Sequence, residues 1–153
     1  MITTMTKEEY LEGLGMPAPT FTHQFIINRI NNNFVKRFPK SSYNFNCGMG
    51  ICDNPEIIPD ICLWEFVDKD NFETPPQNPL LEIEITHTKQ NDKYSENSIK
   101  NAFKFVPSLQ EAFLYNYTDK IWYRYKKING QIIKEAKKDY SSILKCHLHT
   151  LLE

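Results

Sequence analysis

The sequence predicts an α/β domain with a mixed central sheet flanked by helices. Three observations predict it. Apolar residues recur at helical spacing over 21–38 and 95–106. Strand-length runs, alternating or compactly apolar, lie between and after those two stretches. The second helix bridges two such runs, which suits a crossover between parallel strands. The chain has 153 residues, of which 41% are hydrophobic and 13% aromatic. That length fits one domain able to bury a core, and the composition is that of a folded chain. Residues 1–20 are expected to be an N-terminal extension and 21–153 the domain.

Taken in order, 7–14 reads as a short helical stretch, after which Gly13, Gly15, Pro17 and Pro19 break the chain. The first long helix spans 21–38. Phe21, Phe25, Ile26, Ile30, Phe34 and Val35 form its stripe, Thr20 or Thr22 can cap it, and Pro39 ends it. Strands are expected at 43–52, with Gly48 and Gly50 as bulge or turn positions, and at 57–66, where Pro59 marks a strand start or an edge. A loop rich in Asp, Asn and Pro over 68–79 leads to a short strand at 80–86. The second helix, 95–106, has Ile99, Ala102, Phe103 and Val106 as its stripe and stops at Pro107. Strands at 111–117, 121–127 and 131–137 follow, turning at Asp119-Lys120 and Asn129-Gly130. The tail from 141 to 152 fits no single element.

Charge and cysteine content exclude several classes. The formal net charge of −1 makes no overall electrostatic case for nucleic acid. Its distribution is uneven: 53–92 holds ten acids and two lysines, a net of −8, and 118–139 holds seven cations and three acids, a net of +4. Each stretch taken alone is a solvated face. No run approaches a membrane span, and 1–16 lacks the apolar stretch of a signal peptide. A soluble cytoplasmic protein with reduced thiols is therefore expected. Cys62 and Cys146 read as buried thiols. Cys47 and Cys52 lack a second pair at metal spacing, so no zinc site is expected. There is no phosphate-binding glycine loop and no nucleophile–base triad.

The chemistry lies in acids inside apolar runs. In Leu80-Leu81-Glu82-Ile83-Glu84-Ile85-Thr86, strand alternation puts Leu81, Ile83 and Ile85 on one face and Glu82, Glu84 and Thr86 on the other. Two carboxylates inside a sheet are costly unless partnered, and a hard divalent cation such as Mg²⁺ is a natural partner. Asp60 follows Pro59 at the head of the run 61–64. The bland alternatives are a turn aspartate and a solvent-facing strand side. His87 reads as a partly exposed turn residue. His147 and His149 could share a face but lack a third ligand. Tyr115, Tyr117, Trp122, Tyr123 and Tyr125 interleave with cations as a nucleic-acid surface would. A hairpin with one aromatic face on the core explains them equally and is preferred.

On these residues the sequence resembles the bacterial Uma-two family of restriction-endonuclease-like proteins, a branch of the PD-(D/E)XK nuclease superfamily. The resemblance runs from about Thr22 to Gly130. Its pieces are His23-Gln24-Phe25-Ile26, Ile58-Pro59-Asp60-Ile61, the acidic strand 79–85, the helix 95–106 and the strand entry 108–114. It implies a restriction-endonuclease-like fold and a Mg²⁺- or Mn²⁺-dependent endonuclease, a hydrolase acting on DNA. Asp60 and Glu84 would hold the metal. Lys100 would be the catalytic amine, because the superfamily's lysine position is here Thr86. His23 and Glu82 would be accessory. The Ser-Pro-Ser-like turn expected after the glutamate is replaced by Thr86-His87-Thr88, and Glu96 stands where the family often has Asp. The alternative is a catalytically inactive descendant that keeps the fold as a binding or dimerisation module. A homodimer is compatible with either.

Overall fold

The computed structural model describes residues 20–38, 43–47, 51–52, 57–65 and 77–153. The expected helix at 7–14 and its breakers, the glycines at 48 and 50, Pro39 and most of the 68–79 loop lie outside them. Helix α1, Phe21–Arg37, starts where Thr20 accepts a hydrogen bond from the His23 N–H, which settles the choice of cap. Strands β1, Tyr43–Cys47, β2, Ile61–Glu65, and β3, Gln77–Thr86, follow. Helix α2, Lys89–Phe105, precedes β4, Glu111–Asn116, β5, Ile121–Ile128, and β6, Gln131–Ala136. The tail forms a two-residue pair, β7, Tyr140–Ser141, with β8, Cys146–His147, then a 3₁₀ helix, Leu148–Leu152.

The six strands β1 to β6 lie side by side in chain order. Every pairing is antiparallel except β3 with β4, which α2 joins as a crossover. The mixed sheet expected from the sequence is therefore present. Its two faces have separate cores. On one, Ile26, Ile27, Ile30 and Phe34 of α1 pack on Leu63, Ile83, Ile85 and Phe113, and the tail residues Leu148 and Leu151 join them. On the other, Ile99, Ala102 and Phe103 of α2 pack on Cys62, Trp64, Ala112, Leu114 and Tyr125.

Several boundaries differ from the sequence reading, among them the start of β3, at Gln77 and not at 80. Helix α2 begins six residues earlier than expected. Thr88 caps it by accepting from the Asn91 N–H, while its first turns are too polar to show an apolar stripe. Strand β2 begins only at Ile61, because Ile57 to Asp60 are buried without being strand. Residues 51–52 are not strand, so the segment drawn to 52 is too long. The β5–β6 turn is as expected: Asn129 and Gly130 have φ of 50° and 80°, the left-handed pair a two-residue hairpin loop demands.

Candidate functional site

Strand β3 sits inside the sheet, so both its faces are covered, and Glu82 and Glu84 are 1% and 0% exposed. The solvent-facing alternative for them is excluded. Both point to the α2 side. Glu82 is in register with Cys62 on β2 and Ala112 on β4, and Glu84 with Leu114. Glu82 is close enough to Cys62 to act on it: burial first, then the Glu82 charge, push the Cys62 thiol well above its ordinary value.

Asp60 is equally buried. Asp60 directly precedes Ile61, whose register partner Ile83 is the residue before Glu84. Its Oδ2 accepts the Ile85 N–H at 2.7 Å and lies 3.1 Å from His23 Nε2. The aspartate thus takes the place of a strand carbonyl at the end of β2. It also ties the first turn of α1 to the sheet. His23 is buried, and its Nδ1 has no hydrogen-bond partner among the described residues. Asp60 and His23 are therefore brought together, and Glu82 and Glu84 stand on the adjoining strand. Lys100 is exposed on α2, where its charge acts on Glu96.

Thr86 belongs to a network that the sequence reading missed. The Thr86 hydroxyl donates to Asp92, and the Asn116 amide donates to both Asp92 oxygens at 3.3 and 3.1 Å. Asn116 Oδ1 accepts the N–H groups of Thr118 and Asp119. This network pins the start of α2 to the ends of β3 and β4. Beside it lies a cavity of about 330 Å³ whose lining includes Lys89, Lys93, Asp92, Glu96, Leu114 and Tyr123. Leu114, the register neighbour of Glu84, shares this cavity with the amines of Lys89 and Lys93 on the first turns of α2 and of Lys134 on β6. Those turns looked like loop in the sequence, which hid the two lysines.

The other candidates resolve plainly. Tyr115, Trp122 and Tyr125 are buried, so the aromatic interleaving is core packing. His87 stacks on Tyr117 at 5.6 Å, and Tyr117 bonds Thr20. His147 and His149 do converge, on Asp139: His147 Nδ1 is 2.9 Å from its carboxylate and the His149 N–H donates to it. His149 Nδ1 accepts from the Trp122 indole. Cys62 and Cys146 are buried free thiols, as expected.

The donor set can be tested against a cation. Mg²⁺ binds through one or two carboxylates and keeps waters and substrate phosphates as its other ligands. Among the described residues, no three His, Cys, Asp or Glu side chains gather as a ready-made metal cage. Asp60 and Glu84 supply hard oxygen donors of the type and number such a shared site uses, and the acidic row fits on that ground.

No protein-family profile matches the sequence, and no curated protein matches it. Among solved structures, the chain is similar to a protein from Anabaena variabilis ATCC 29413 described as "a putative nuclease belonging to DUF820". The identity is 14%, over 89% of this chain and 83% of that one, with a TM-score of 0.63. A likeness at that identity shows the fold: this is an α/β protein with a nuclease-like mixed sheet. Among the described residues, no helix is long and apolar enough to cross a membrane.

Proposed function

We propose that this chain is a metal-dependent endonuclease of the Uma-two type, hydrolysing phosphodiester bonds in DNA at the Asp60–Glu84 row. One observation carries the reading: two buried carboxylates, 24 residues apart in sequence, meet at the end of the β2–β3 pairing of a nuclease-like sheet, where Asp60 accepts the N–H of Ile85, the residue after Glu84. Asp60 and Glu84 would hold Mg²⁺ or Mn²⁺, which supplies charge neutralisation at the phosphate and activation of a water nucleophile. The Ile85 N–H and His23 fix the Asp60 carboxylate, as outer partners of a ligand do. Glu82 adds negative charge to the row. An α2 amine, Lys100 by the resemblance or Lys93 by the cavity it lines, stabilises charge on the phosphate. Free buried thiols go with a cytoplasmic location.

The test uses supercoiled plasmid with Mg²⁺ or Mn²⁺, comparing the wild type with Asp60→Asn and Glu84→Gln, each checked for folding by circular dichroism. Metal-dependent nicking that both variants lose is the expected result. The competing reading is a catalytically inactive binding or dimerisation module. It is favoured by the exposure of Lys100 and by the use of Thr86 to hold Asp92. Absence of nicking together with no Mn²⁺-induced rise in Tm would select it.

A further inference from the structure

The outward face of α1 is unlike the rest of the molecule. The helix carries Arg29, Lys36 and Arg37 and no carboxylate. Since the whole chain has a formal charge of −1, everything outside α1 amounts to −4 by the same count. Core packing uses the other side of the helix, through Ile26, Ile27, Ile30 and Phe34. Phe21 and Phe25 are left 84% and 48% exposed, although aromatic side chains of this size are normally turned inward. Their rings stack on each other at 6.3 Å and 28°, and the Arg29 guanidinium lies 5.1 Å from the Phe25 ring centre. The exposed Asn28 extends this face toward Lys36.

Arg29 also donates to the Leu152 carbonyl, which brings Glu153 beside it, while Lys36 is exposed on the outer side. Flat aromatic faces, a cation over one of them and a helix with no acid of its own suit a polyanion that also presents π faces. That is a nucleic-acid strand with unpaired bases. A second copy of the chain fits less well, since a two-fold axis would set this cationic face against itself. Residues advance about 100° per position in a helix. His23 therefore points away from Phe21 and Phe25, toward Asp60. The face lies roughly one helix diameter, about 10–12 Å, from the Asp60 carboxylate. It is suited to holding a strand rather than to reacting with it.

We propose that the outer face of α1 anchors single-stranded DNA, its bases stacking on Phe21 and Phe25 and its phosphates meeting Arg29 and Lys36. The choice of DNA rests on the nuclease reading; the surface does not. Binding is measured by fluorescence anisotropy with a labelled oligothymidine of about 20 nucleotides, long enough to span a site of this class, at low salt in EDTA. The wild type is expected to bind it. Phe21→Ser with Phe25→Ser should weaken binding about tenfold or more. Lys36→Gln should lower the slope of log affinity against log salt by about 0.7. Phe21, Phe25 and Lys36 are exposed, so these variants keep the fold, and Gly130→Ala, in the β5–β6 turn, should bind as the wild type does. Absence of binding by the wild type, or unchanged binding in all the α1 variants, overturns the proposal. So does a wild-type dimer in sedimentation that Phe21→Ser with Phe25→Ser turns to monomer. Nicking without strand binding sinks the anchor and spares the nuclease reading; α1-dependent binding without nicking does the reverse.

Discussion

Glu111 on β4 and Glu84 on β3 stand on neighbouring strands, and both are shut off from water. Glu111 faces a cation and a set of donors. Arg124 reaches its Oε2 through Nε at 3.2 Å and Nη2 at 2.9 Å, the Ser141 hydroxyl donates to Oε1, and the Ser142 and Ile143 N–H groups complete the shell. This carboxylate fastens the tail to the sheet, and through it the 3₁₀ helix under α1. Glu84 has Leu114 in register on β4, and Asp60 accepts the N–H of Ile85, the residue next to it. Burial of an acid is common to both and so does not mark a site. What marks Glu84 out is a second buried carboxylate held at the adjoining residue.

The comparison breaks most sharply under substitution. Glu111→Ala leaves the Arg124 head, only 15% exposed, with Glu135 in place of two carboxylates, and it strands the donors of the tail. Removing one member of a buried pair costs about 3–5 kcal/mol, so the urea midpoint should fall steeply. Glu84→Gln keeps the side-chain shape, and its midpoint should move far less. Its signature is different: if Asp60 and Glu84 hold the metal, the wild type gains about 2.7 kcal/mol from Mn²⁺ at a hundredfold excess over Kd, and Glu84→Gln should lose that gain. Equal loss of stability in the two variants, with the Mn²⁺ response retained in Glu84→Gln, would erase the distinction.

A change remote from both acids serves as the control. Gly130 has φ of +80° in the β5–β6 turn, and a Cβ there would meet nothing within 4 Å. The cost of Gly130→Ala is therefore backbone strain alone, about 1–2 kcal/mol. Urea unfolding should register that loss, while the Mn²⁺ response stays at the wild-type level. A lost response would mean that the metal effect follows general stability and not the acidic row.

How far these contrasts could be read in the sequence depends on whether the signal was local. Strand alternation placed Glu82 and Glu84 on one face, and the apolar surroundings of Asp60 marked it as unusual. The crossover between β3 and β4 followed from one helix between two strands. The Glu111 network was not legible, because its partners lie 13 and 30–32 residues away and carry no apolar periodicity. Lys89 and Lys93 were hidden for the same reason: the first turns of α2 are polar all round and are held by the Thr88 cap and the Asp92–Asn116 bonds. Asp60 reaches the Ile85 N–H beside Glu84 only through register, which the pairing of β2 with β3 decides.

A third carboxylate refines the comparison at its weakest end. Glu96 on α2 has its side chain 23% exposed and bonds Lys134 at 2.9 Å and the Tyr125 hydroxyl at 3.0 Å. Burial pushes its carboxyl upward, but the bonds from Lys134 and Tyr125 and the charges of Lys134 and Lys100 outweigh it and hold the group below its ordinary 4.5. A carboxylate whose folded value is depressed adds stability above its unfolded value, and that stability is lost as pH falls through the folded one. Tyr125, pushed upward by burial and then by Glu96, keeps its proton throughout this range. Urea midpoints measured from neutral pH down to about pH 3, below the ordinary carboxylate range, should therefore fall less steeply for Glu96→Gln than for the wild type. At neutral pH the variant should lose a little stability, less than Gly130→Ala, because a half-exposed ion pair is screened by water. An unchanged acid slope would mean that the buried acids, and not the α2 surface pair, set the response of this fold to acid.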